Sequence, residues 1–112
     1  MIHYHQKVFR VVENCHNGET SPLTIFHYLQ TDNIVSANYA GGGILAGHLL
    51  GLVDAKGNID MHYHQVNNKG EIMTGICKSI PEILPNGKIR LHEKWQWTSG
   101  DCSSGESIIE EI

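Results

Sequence analysis

Ile89-Arg90-Leu91-His92-Glu93-Lys94-Trp95-Gln96-Trp97 alternates, residue by residue, between two kinds of side chain. The odd positions carry Ile, Leu, Glu, Trp and Trp; the even ones carry Arg, His, Lys and Gln. A period of two marks an extended strand with one face turned inward, because successive strand side chains project to opposite sides. A helix would repeat its apolar face every three or four residues, and this stretch does not. Thr24-Ile25-Phe26-His27-Tyr28-Leu29-Gln30 reads the same way, with Phe26 and Tyr28 sharing a face.

Working outward, turn chemistry recurs at short spacing. It lies at 14–21, Thr31-Asp32-Asn33, Gly41-Gly42-Gly43, Asp54-Ala55-Lys56-Gly57-Asn58, Asn67-Asn68-Lys69-Gly70, Pro85-Asn86-Gly87 and 99–106. Asn, Asp and Gly supply the left-handed backbone positions of hairpin turns, and Asn86-Gly87 matches a two-residue type I′ hairpin. Between these turns lie runs of strand length at 7–13, 23–30, 34–40, 44–53, 59–66, 71–80, 88–98 and 107–111. Segment 44–52 is the best helix candidate, but its glycines and the lack of an N-terminal capping residue favour a strand. A run of short strands with close turns has two exposed sheet edges to dispose of, and pairing first with last removes both. The expected fold is all-β: an up-and-down antiparallel meander of about eight strands, closed into a small barrel. Residues 1–112 form one domain.

Composition narrows the function classes. The 112 residues carry 40% hydrophobic and 18% charged side chains, with 12 glycines and a net charge of −4. Nucleic-acid binding needs a concentrated basic surface, which this chain lacks. The longest apolar stretch, 44–53, is interrupted by Gly47, His48 and Gly51 and is too short to span a bilayer. The N-terminal residues have no apolar core of a signal peptide, and Cys15, Cys77 and Cys102 have no disulfide-framework spacing. A cytoplasmic, reducing location follows as the expectation, with Cys77 a small buried hydrophobe. Gly41 to Gly47 misses the G-x-G-x-x-G spacing by one residue and precedes no convincing helix, so no nucleotide cofactor is expected. No nucleophile elbow, zinc-protease or CxxC motif is present.

With the apolar face of each strand turned inward, the interior takes Phe9, Val11, Phe26, Tyr28, Gln30, Val35, Ala37, Tyr39, Leu49, Val53, Met61, Tyr63, Gln65, Leu91, Glu93, Trp95 and Trp97. Strand 71–80 offers two faces, Ile72, Thr74 and Ile76 or Met73, Gly75 and Cys77. An eight-stranded barrel either fills its lumen with side chains or holds one small ligand. A carboxylate on the inward face must be paired, hydrogen-bonded or protonated, which singles out Glu93. The candidate ligand site is Tyr28, Tyr39, Tyr63, Gln65, Glu93, Trp95 and Trp97, with a small molecule as partner. A solid barrel, with Glu93 satisfied internally and both indoles as packing, is the other reading of the same residues. His48, His62 and His64 lie on the opposite, outer face. A three-residue turn after Asp54 sets His48 opposite His64, a weak zinc pattern for which an exposed polar face is the simpler account. No metal is therefore assigned. The oligomeric state is open, a homodimer among the options.

Gly51-Leu52-Val53-Asp54, Gly57-Asn58-Ile59-Asp60-Met61, Tyr63-His64-Gln65-Val66-Asn67, Met73-Thr74-Gly75-Ile76-Cys77 and the stretch from Lys88 to Asp101 resemble a family of short bacterial proteins often labelled N-acetylglutamate synthase. The resemblance spans nearly the whole chain and is most specific at Leu91 to Trp97. The label implies an acetyl-CoA-dependent acyltransferase. That activity is expected to carry a Gln/Arg-x-x-Gly-x-Gly/Ala loop, and the nearest string, Gln65 to Gly70, has the wrong spacing, so no catalytic residue is carried over. In strand pattern the chain is similar to lipocalin- and avidin-like barrels.

Overall fold

The alternating runs become eight strands: β1 Val8–Asn14, β2 Ile25–Thr31, β3 Ile34–Gly41, β4 Ile44–Val53, β5 Ile59–Asn67, β6 Ile72–Ile83, β7 Ile89–Trp97 and β8 Ser104–Glu111. This computed structural model describes residues 2–112, and no helix occurs among them. Each strand pairs antiparallel with the next, and β1 pairs with β8, Phe9 opposite Glu111 and Val11 opposite Ile109. The sheet is a closed barrel in simple sequence order, and no free edge remains. Segment 44–52 is strand throughout. β8 begins at Ser104, inside the segment read as a turn, because Ser104 and Gly105 already pair with Gln96 and Trp95.

Three hairpins share one construction, seen at Asp54–Asn58, Asn67–Glu71 and Leu84–Lys88. In each, the first residue's carbonyl accepts from the glycine N–H three residues on, at 3.1, 3.0 and 2.8 Å. Gly57, Gly70 and Gly87 then take the left-handed backbone, at φ 86°, 77° and 84°. This is a type I turn followed by a left-handed glycine, the usual three-residue hairpin loop. The two-residue type I′ turn expected at Asn86-Gly87 is therefore corrected: Pro85 occupies the loop as well, and Asn86 keeps a negative φ. The loop after Asp54 has the expected length and sets His48 opposite His64.

The inward face of β6 is Gly75, Cys77 and Ser79, while Ile72, Ile76 and Ile80 point out and are 70%, 37% and 54% exposed. Of the residues assigned inward, Gln30, Val53, Tyr63 and Glu93 are only half-buried. The floor of the barrel is solid. Tyr4, which precedes β1, is fully buried against Phe9 and Tyr28, with ring centroids 6.4 and 6.1 Å away. Its hydroxyl donates to the Gly57 carbonyl at 2.5 Å, and its N–H donates to Gln30 Oε1 at 2.9 Å. Burying such a ring is worth about 2–3 kcal/mol, which fastens the N-terminal segment across the lower opening.

Candidate functional site

Above this floor the large rings are set back into the wall. Tyr39 pairs with Gly47, Tyr63 with Gly75 and Trp95 with Gly105 across neighbouring strands. Each ring lies over its partner glycine so closely that a Cβ there would collide with it. A sheet position without a side chain accepts an aromatic ring flat against the backbone, which keeps bulk out of the lumen. The rings also touch one another: Phe26 and Tyr39 at 4.6 Å, Tyr63 and Trp97 at 5.7 Å, Trp95 and Trp97 at 5.6 Å between centroids.

The space they enclose is about 50 Å³, lined by Phe26, Tyr39, Leu49, Met61, Tyr63, Gln65, Cys77, Glu93, Trp95, Trp97 and Ser107, with Asn14 and Gly18 to Thr20 above. That is room for a few water molecules. Six of the seven residues expected at the site meet here. The seventh, Tyr28, sits lower, in the packed floor at 4.9 Å from Phe9, and its buried hydroxyl has no hydrogen-bond partner. A concavity of about 780 Å³ lies against the β6–β7–β8–β1 wall. It also touches Cys77, Glu93, Trp95 and Ser107, but most of its lining is outward and exposed, including Lys78, His92 and Lys94. The buried, convergent groups belong to the lumen.

Glu93 is held between neighbours on either side. Ser79 of β6 donates to Oε2 at 2.9 Å and Ser107 of β8 donates to Oε1 at 3.2 Å. The side chain keeps some accessible surface toward the cavity, yet the carboxyl is surrounded by protein. Loss of water raises its pKa from 4.5 to about 7, against the downward pull of Ser79, Ser107 and Cys77. Near neutrality it therefore exchanges between an acid that can donate and a carboxylate that can only accept. Burial likewise pushes the phenols of Tyr28, Tyr39 and Tyr63 above their ordinary 10.0, so all three remain hydroxyl donors. It also raises the Cys77 thiol, which stays protonated and unreactive.

The upper opening is covered by the loop between β1 and β2, which periodicity could not assign to any face. Glu19 reaches down from it to accept from Gln65 Nε2 and Asn67 Nδ2, both at 2.8 Å. The Trp97 indole donates to the Asn17 carbonyl at 3.2 Å, and Asn14 Nδ2 donates to Thr20 Oγ1 at 2.8 Å. Sequence reasoning missed this cover; the signal available was Glu19, a lone carboxylate in the longest inter-strand loop. The outer histidines lie where expected: His48 faces His64 with rings 5.6 Å apart, and His62 lies opposite Leu50 and Ile76. No group of three metal-ligating side chains converges among the described residues, and they contain no helix long and apolar enough to cross a membrane.

No curated protein and no solved structure matches the chain. A family model described as avidin-like protein matches residues 2–112. A closed eight-stranded meander with an aromatic lumen agrees with that match, and the chain belongs to the avidin-like protein family.

Proposed function

We propose that the protein binds a small molecule inside the barrel. The rings of Tyr39, Tyr63, Trp95 and Trp97 would hold an apolar or aromatic body. Glu93 would take a hydrogen-bonding group at the inner end. The observation that carries this reading is the set-back aromatic wall around one serine-braced carboxyl. Packing alone would be served as well by a Leu at position 93 and side chains at the three glycines. Family membership supports it, since eight-stranded barrels of this kind can enclose a single ligand, as streptavidin encloses biotin. The free volume is small, so entry requires the β1–β2 loop to yield.

Trp95 and Trp97 report directly on the lumen. Their fluorescence and the melting temperature are to be followed with biotin, and with acetyl-CoA plus glutamate as the acyltransferase comparison. Saturable quenching with a raised melting temperature is expected for a lumen ligand, and Glu93→Gln is expected to weaken it at least tenfold. Binding that ignores Glu93→Gln and Trp97→Leu overturns the site. A shift with acetyl-CoA alone favours the enzyme instead.

A further inference from the structure

The amides that hold Glu19 are fixed by other parts of the molecule. Asn67 Oδ1 accepts the backbone N–H groups of Lys69 and Glu71, each at 3.0 Å. This sets the orientation of the amide and aims Nδ2 upward into the mouth. Gln65 Oε1 accepts the Tyr39 hydroxyl at 2.7 Å, which likewise turns Nε2 toward the mouth. Gln65 and Asn67 are only 3% and 4% exposed. Two buried donors thus face one point, in an orientation that does not depend on Glu19. Both oxygens of Glu19 fill that point, one on each amide.

Glu19 itself is the least anchored member. It rises from a loop, and its neighbour Asn67 Nδ2 also donates to Glu71 Oε1 at 3.0 Å. Two carboxylates therefore share one amide nitrogen, and their repulsion weakens the hold on Glu19. The bonds that orient both amides come from Tyr39, Lys69 and Glu71, none of them in the β1–β2 loop.

From this we infer that Gln65 and Asn67 form a carboxylate-binding subsite at the mouth, and that Glu19 occupies it as an intramolecular competitor. A carboxylate-bearing ligand displaces Glu19, takes both amides and releases the β1–β2 loop. The identity of that ligand as a lumen occupant rests on the small-molecule reading above; the subsite itself does not.

Acetate, the smallest carboxylate, separates the two. In Glu19→Ala the subsite is vacated, and sodium acetate is expected to raise the melting temperature in a saturable way, by several degrees beyond an equal concentration of sodium chloride. The wild type, with its own carboxylate in place, is expected to respond less than a third as much. Asn67 also builds its turn, so Gln65→Leu in the Glu19→Ala background serves as the control and is expected to abolish the response. Equal acetate responses in wild type and Glu19→Ala overturn the subsite, as does a Glu19→Ala response that survives Gln65→Leu. Should Glu19→Ala fail to fold, Glu19→Gln carries the same measurement. A second arm uses phenylacetate and phenylacetamide, which differ only in charge. Glu19→Gln is expected to tighten phenylacetate at least tenfold, read by indole fluorescence, and to leave phenylacetamide within threefold. Acetate rescue without binding of either aromatic probe supports the subsite and counts against the lumen as a ligand chamber. Equal binding of both probes, unchanged by Glu19→Gln, supports the lumen and overturns the competitor.

Discussion

Glu93→Gln should make the protein more stable at neutral pH, and the gain should vanish in acid. The native carboxyl has a pKa of about 7 against an ordinary 4.5. Below pH 4.5 both the folded and the unfolded chain hold the proton, so the site adds no pH dependence. Between 4.5 and 7 the unfolded chain releases its proton while the folded chain keeps it, and stability falls as pH rises. Above 7 both are ionised and the penalty levels off. A difference of about 2.5 units at 1.36 kcal/mol each is about 3 kcal/mol. Glutamine has the same shape and no charge to desolvate. Its amide can still meet Ser79 and Ser107, whose hydroxyls rotate to donate or accept. Urea denaturation of both proteins from pH 4 to pH 8.5 measures the effect. The curves should run together near pH 4.5 and separate to about 3 kcal/mol by pH 8, a gap of about 12 °C in melting temperature for a domain of this size. A constant gap across that range, or a variant less stable at pH 8, would refute the burial of an ionisable group at this position.

Three further outcomes follow from the packing. Gly105→Ala places a methyl group against the Trp95 ring, which must swing into the lumen; a loss of about 1–3 kcal/mol and a changed indole emission spectrum are expected. Tyr4→Phe removes the donor to the buried Gly57 carbonyl and should cost about 1–2 kcal/mol in denaturant titration, with faster amide exchange across residues 2–7. Tyr28→Phe deletes a buried hydroxyl that has no partner, so the ligand-free variant should match or exceed the wild type by about 1 kcal/mol; a loss above 1 kcal/mol would mean that the hydroxyl is bonded after all.

The two-residue period was enough to find β7 and to place Leu91, Trp95 and Trp97 on the buried face, because alternation there coincides with burial. It failed on β6. Apolar size would turn Ile72 and Ile76 inward, yet the buried face is Gly75, Cys77 and Ser79. The reason lies on the neighbouring strand: Tyr63 needs the place that a side chain at 75 would occupy. A strand read alone does not show what its cross-strand partner requires. The same blindness affected the ends of the barrel. Tyr4, Asn17 and Glu19 belong to segments without periodicity, and their burial or contacts depend on which strand termini the closed sheet brings beneath them.

The strand glycines bear on the proposed function. A core built only to exclude water would place a side chain at each of 47, 75 and 105, since a glycine within a strand costs conformational entropy and gives no contact. Here each is overlaid by Tyr39, Tyr63 or Trp95, the rings that border the cavity. The arrangement exchanges three modest packing gains for a wall with its bulk withdrawn, and it does so in the half of the barrel that holds Glu93 and opens toward Glu19. In the lower half Tyr4, Phe9 and Tyr28 pack ring against ring, and the inward glycine there, Gly51, is overlaid by Met61 rather than by an aromatic ring. One molecule thus contains a floor packed ring against ring and, above it, an aromatic wall around a space of about 50 Å³.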